Sequence, residues 1–413
     1  MHTSHTLFRC ALLGSALAIA ALPAFGADAA REAMKRTLAI QGKHASQTRL
    51  NPGSGFGSAD ATYTVLHDFT GGPNDGADPT ADVALDKAGN IYAATASGGA
   101  QGDGAVVELA PDGSITLLHS FSGSDGSGPD GSVLVTKKGD LYGTAGSGGS
   151  SDDGVIFRLK ANGKYKVLHN FSDNDGSFIR GDLVSDKAGN LYGTALFGGV
   201  NGDGTVYEYG VDGTFTVLHA FNGTDGEFPE HGVVLDKDGN LYGVTAFGGA
   251  DDNGSVYKIA PDGTFTTLYS FTGGADGGFL YGTVDLDKAG NIYGNTASGG
   301  ANGQGTVFEI SAAGKFKTLY NFTGGADGGD PEGNMRVVGK ELYGAASEGG
   351  DPTCQCGAIY KVDSKGHETV LHAFTGTDGG GYSAGVVAGG KTLYGTAGSG
   401  TDGNGVIFSV TKK

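Results

Sequence analysis

Seven tyrosines set the plan of this chain. Each follows a Leu or Ile, at Tyr92, Tyr142, Tyr192, Tyr242, Tyr293, Tyr343 and Tyr394, with spacings of 50, 50, 50, 51, 50 and 51 residues. A second series closes the motif Leu-His/Tyr-x-Phe at Phe69, Phe121, Phe171, Phe221, Phe271, Phe322 and Phe374. Two series of seven sharing one period mean that a single supersecondary unit of about 50 residues has been copied seven times.

The fourth copy shows the unit. It holds four strand-like pieces, A (Val233–Asp236), B (Leu241–Thr245), C (Ser255–Ala260) and D (Thr264–Phe271). The A–B and C–D joints, Asp236-Lys237-Asp238-Gly239-Asn240 and Ala260-Pro261-Asp262-Gly263, are built of turn formers. The B–C and D–A joints are longer. Composition agrees, since 80 glycines beside only 10 prolines exclude collagen, and 17 Tyr with 21 Phe argue against a disordered chain. The expected architecture is all-β, a seven-bladed β-propeller of four-stranded antiparallel blades. The repeat region opens on a D-type strand, Tyr63–Phe69, and ends on a C-type strand, Val406–Val410. The ring therefore closes only if Tyr63–Phe69 becomes the outer strand of the last blade.

The motifs Val217-Leu218-His219-x-Phe221, Val234-Leu235-Asp236-Lys237-Asp238-Gly239-Asn240-Leu241-Tyr242-Gly243, Gly248-Gly249 and Gly254-x-Val256-Tyr257 recur around the chain. This pattern resembles the GloVer-type tandem β-propeller repeats of exported bacterial proteins, over residues 63 to 410. The resemblance implies an exported propeller and no established activity. Copies six and seven depart from it, with Val338-Gly339-Lys340-Glu341 and Ala388-Gly389-Gly390-Lys391 in place of the Asp-Lys-x-Gly-Asn turn.

Residues 1–26 read as a secretory signal: Arg9, then an apolar run from Ala11 to Leu22, then Ala24-Phe25-Gly26 as a cleavage site. That run is too short to span a bilayer. Residues 27–61 read as a flexible basic linker of net charge +2. Removing Arg9 and this linker from the total of −18 leaves −21 for residues 62–413. So acidic a domain is a poor partner for nucleic acid or for membrane insertion, and its acidity serves solubility. The expected product is a monomer, periplasmic or secreted, without cofactor. Cys354 and Cys356 can form a local disulfide in an oxidising compartment, and two ligands are too few for a zinc site.

Function should lie where the copies disagree. Six residues before the end of strand A the series reads Thr80, Asp130, Arg180, Glu230, Tyr281, Glu332 and Ser383. These side chains should surround the top of the central channel, on the face of the D–A and B–C loops. His231 follows Glu230, Phe197 and Phe247 come from B–C loops, and Phe178, Phe228 and Phe279 precede strand A. An aromatic-rimmed, polar-centred concavity suits a ligand. His67, His119, His169, His219 and His372 share one outer-strand position, one per blade, and read as structural. The repeated Asp-Gly pairs (Asp75, Asp125, Asp175, Asp225, Asp276, Asp327, Asp378) read as turn chemistry, not as calcium ligands. Asp285 and Arg336 replace apolar residues in adjacent blades and should pair, since a lone charge there is costly.

Three functions compete. The leading expectation is an exported module binding a small molecule, glycan or protein loop on the top face. An enzyme on an acidic polysaccharide would use Arg180 to neutralise a uronate and His231 or Tyr281 as base. A glycosidase would draw its acid and base from Asp130, Glu230 and Glu332. A structural surface component needs none of these.

Overall fold

The computed structural model describes residues 61–381 and 384–412. The expected signal and basic linker lie outside the described residues, apart from Ala61, which opens the first strand. All described regular structure is β-strand. Seven four-stranded antiparallel sheets form the blades of a propeller, with one two-residue pairing, Gly76–Ala77 with Ser97–Gly98, added on a loop. Within a blade the order is A-B-C-D. In blade four these are Val234–Leu235, Leu241–Thr245, Ser255–Ile259 and Phe265–Ser270. A strands of adjacent blades touch one another, which makes them the innermost.

The Leu-Tyr-Gly motif in strand B follows from how blades fill their cores. Gly243 pairs with Tyr257 of strand C, and the Tyr257 ring lies across it so closely that a Cβ there would sit 2.4 Å from Cζ. In blade one, where strand B has Ala93, the facing residue shrinks to Val107. Side chains from neighbouring blades then close one core, as where Val206 and Phe221 of blade three meet Val233, Leu241 and Tyr257 of blade four.

The outer-strand His or Tyr and the Asp-Gly carboxylate turn out to be one device. His219 Nε2 lies 3.0 Å from Asp225 Oδ2, and Asp225 also accepts the backbone N–H of Asn222, tying strand D to the D–A loop. Corresponding bonds join His119 to Asp125, His169 to Asp175 and Tyr269 to Asp276. The His219 ring then stacks on Phe265 of the next blade at 3.8 Å.

Seven D–A loops carry a residue in the left-handed region: Asp78, Gly128, Phe178, Phe228, Phe279, Asp330 and Gly381. Their N–H groups bond back to the B–C loop of the preceding blade, as Phe228 N donates to Asp203 O at 3.0 Å. Such a φ is unfavourable for phenylalanine, and this inter-blade bond holds it. The ring closes as expected. Ala61–Asp68 pairs antiparallel with Val406–Lys412 as the outer strand of blade seven. Tyr63 stacks on His372 of blade six at 3.6 Å and donates its hydroxyl to Asp378 O. Blades six and seven replace the Asp-capped turn with a two-residue turn, Gly339-Lys340 and Gly390-Lys391, and their A strands gain a third residue.

Candidate functional site

The chain leading into each A strand runs around the centre of the ring, and neighbouring lead-ins touch through backbone. A Cβ on Gly232 would lie 2.2 Å from Asp182 O, and one on Gly282 would lie 2.3 Å from Gly333 O. Only glycine permits that approach. The lead-ins thus crowd the centre of the ring, and the polar side chains at two positions, two residues apart in each lead-in, form two layers.

The upper layer is the series singled out from sequence. Thr80 Oγ1 donates to Asp130 Oδ1 at 3.1 Å, and Arg180 Nε stands 3.4 Å from Asp130 Oδ2. The Arg180 guanidinium also lies over the Phe178 ring, 5.8 Å from its centroid. Burial pushes the Glu230 carboxyl up, and the Arg180 charge opposes that shift. Glu332 is pushed up to about 7, first by burial, then by Glu230 and Glu348, again against the pull of Arg180. Asp330 is raised well above the carboxylate range by burial and by its neighbours Glu332 and Glu348. Thr80, Asp130 and Arg180 of blades one to three are thus in contact, and the Arg180 charge acts on Glu230 and Glu332 of blades four and six. Ser383 lies outside the described residues, and Tyr281 is half-buried, with its backbone bonded to His231.

The lower layer was not singled out from sequence. Asp82, only 3% exposed, accepts a bond from Asn334 Nδ2 at 3.0 Å and stands 3.8 Å from Arg336 Nη2, while its Oδ1 has no hydrogen-bond partner. Burial and the neighbouring Asp182 raise its carboxyl to about 7. Asp182 accepts the Ser132 N–H at 2.7 Å. His231 stands between the two positions, and both Asp182 and Arg180 act on it. Burial pushes its imidazole down to about 4, which leaves it neutral near pH 7, with Asp182 and the Tyr281 backbone as neighbours. The available signal was the position two residues after the first series: Asp82, Ser132, Asp182, Gly232, Thr283, Asn334 and Gly385 vary just as widely.

Arg336 Nη1 lies 3.8 Å from Asp285 Oδ2, and that oxygen also accepts the Val337 N–H at 2.8 Å. Arg336 thus bridges Asp285 and Asp82. Cys354 and Cys356 are joined by a disulfide in the B–C loop of blade six. The aromatic rim needs correction. Phe197 and Phe247 are 5% and 2% exposed, and with Phe178, Phe228 and Phe279 they form a run of ring contacts with centroids 5.1 to 6.0 Å apart. Their apolar area is spent on one another between blades three to five, so they offer a ligand no open face. What the mouth presents is carboxylates around one guanidinium. Among the described residues no cluster of His, Cys, Asp and Glu has the geometry of a metal site.

Solved structures match the whole ring at low identity. Virginiamycin B lyase from Staphylococcus aureus is 13% identical, with a TM-score of 0.59, over 86% of this chain and 99% of that one. A streptogramin B lyase gives 13% and 0.58, over 86% and 98%. The extracellular domain of what is described as a one component system from B. thetaiotaomicron gives 12% and 0.53, over 87% of this chain and 42% of that one. At such identities the likeness is one of fold. No curated protein matches the chain. The model of the Gloeobacter/Verrucomicrobia repeat matches residues 49–237 and 230–413, covering all seven blades, and the chain belongs to that family.

Proposed function

We propose that this protein is an exported ligand-binding module whose site is the carboxylate-rich mouth of the channel, and that its ligand is a neutral, polyhydroxylated molecule of the glycan class. One observation carries this reading: a repeat position that the fold leaves free brings Thr80, Asp130, Arg180, Glu230 and Glu332 into one interacting set. Carboxylates with lone pairs to spare accept strong hydrogen bonds from hydroxyl groups. An acidic polysaccharide suits the site poorly, because Asp130 already neutralises Arg180 and further carboxylates crowd behind it. A structural role alone leaves the cost of gathering these charges unexplained.

A second reading rests on Glu332. A carboxyl held near 7 beside a second carboxylate is the pairing that general acid catalysis of glycoside cleavage requires. It uses the same ligand class, so binding is tested first. Thermal shifts of the purified protein against neutral oligosaccharides, oligouronates and polyamines separate the readings. A neutral glycan at about 100 times its dissociation constant should add roughly 2.7 kcal/mol. Shifts with oligouronates and none with neutral glycans would contradict the proposal.

A further inference from the structure

A second feature lies on the opposite face of the ring and is independent of the channel mouth. In blade two, strand C (Val155–Leu159) and strand D (Tyr165–Asn170) join through a tight turn in which Lys160 N donates to Lys164 O at 3.0 Å. Arg158 pairs across the strands with Lys166. Side chains two apart share a face of a strand, so Arg158, Lys160, Lys164 and Lys166 form a two-by-two array, and they line a cavity of about 220 Å³. Lys137 and Lys138 extend it along the same edge, where Gly139 of the A–B turn abuts Ala161 of the C–D turn.

Three facts set this array apart. Like charges directly opposite one another across two strands are destabilising, and here there are two such pairs. No other blade carries cations at all four positions, and blades one and three have Glu108 and Glu208 where Arg158 stands. Of these four, only Arg158 forms an ion pair, with Asp140 at 2.5 Å; Asp140 also feels the charge of Lys160, and Lys160, Lys164 and Lys166 are exposed and make no ion pair among the described residues. The fold thus bears a repulsion that an anion would relieve. The acidity of the rest of the domain does not cancel the patch, because charges more than about 8 Å away are largely screened at physiological ionic strength.

We propose that this edge of blade two is an oxyanion-binding surface for an anionic saccharide chain bearing sulfate, phosphate or carboxylate groups. A saccharide with one charge per sugar or two fits a patch two strands wide. Duplex nucleic acid, with a charge about every 1.7 Å, would extend its phosphates over the acidic surface on either side.

The test measures binding of dextran sulfate, neutral dextran and a DNA duplex to the full protein at 20 and 150 mM salt. Three forms are compared: wild type, Lys160→Ala/Lys164→Ala/Lys166→Ala, and a control with Lys237→Ala/Lys288→Ala on blades four and five. The expected result is salt-sensitive binding of dextran sulfate only, weakened about tenfold or more in the blade-two variant and within about twofold of wild type in the control, with the melting temperature of the blade-two variant equal to that of wild type or higher. Absence of dextran sulfate binding, equal loss in both variants, or no loss in the blade-two variant overturns the proposal. Equal or tighter binding of DNA overturns the choice of saccharide. Because the channel mouth is untouched by these substitutions, failure here leaves the neutral-glycan reading standing, and the reverse holds.

Discussion

Asp82 shows what ring closure does to a single side chain. Its carboxyl is buried at the centre, held near 7, and bonded to Asn334 from blade six. Glu332 is likewise held near 7 and Glu368 near 8, in each case first by burial. In the unfolded chain these groups titrate near 4. The folded protein therefore keeps protons that the unfolded chain has released, and stability falls as pH rises from about 4 toward the folded values. Burial depresses His119, His219, His231 and His372, and they act in the opposite sense, losing stability as pH falls below the ordinary histidine value near 6.5. Between pH 6.5 and 8 the acids stand alone, so the melting temperature should fall as pH rises. Asp82→Asn keeps an acceptor for Asn334 and removes the need to bury a charge. It should stabilise the protein at pH 8 by about 1 kcal/mol, roughly 2 °C, and flatten the profile. A melting temperature that climbs from pH 6.5 to 8, or a slope that Asp82→Asn leaves unchanged, would contradict this. The variability of the Asp82 position was legible in the sequence, and the burial and the partner of Asp82 were not. It lies in the irregular lead-in, where no strand period predicts direction, and its partner is 252 residues away.

The elements were far more legible, because each is specified seven times. Strand B, with its Leu-Tyr-Gly signature, and the terminal D strand sit where the repeats place them, and the closure follows from counting strands. Two features escaped. The left-handed phenylalanines are set by a bond to the preceding blade, and the fate of Phe197 and Phe247 is set by rings 19 to 32 residues away in sequence, on the loops of two successive blades; a single repeat reveals neither. The closing strand supplies a test of its own. Tyr63 stacks on His372, contacts Phe374 and Phe408, and donates a hydrogen bond, whereas Val65 on the same strand is 37% exposed. Tyr63→Ala should cost about 2–3 kcal/mol from lost area and ring contacts, and Val65→Ala about 0.5 kcal/mol or less, as read from denaturant midpoints. Equal effects of the two substitutions would mean that the strand is not seated in blade seven as described.

For the whole molecule, the repeat fixes the scaffold and symmetry gathers the exceptions. Copies of one position from successive blades meet, so residues about 50 apart in sequence become neighbours, as Thr80, Asp130 and Arg180 do. That convergence was legible from the alignment of repeats alone. The burial of each residue was not: His231 follows Glu230 directly, and burial holds it neutral near pH 7. The most direct measurement is a calorimetric titration of the glycan giving the largest thermal shift, into wild type and into Glu230→Gln/Glu332→Gln. The titration is run at pH 8, where Glu332 is largely ionised, so the amides keep shape and lose the charged acceptors. We expect affinity to fall at least tenfold, about 1.4 kcal/mol, while the unliganded variant stays as stable as wild type or more so. An unchanged affinity in the variant would place the ligand elsewhere on the ring and contradict the account.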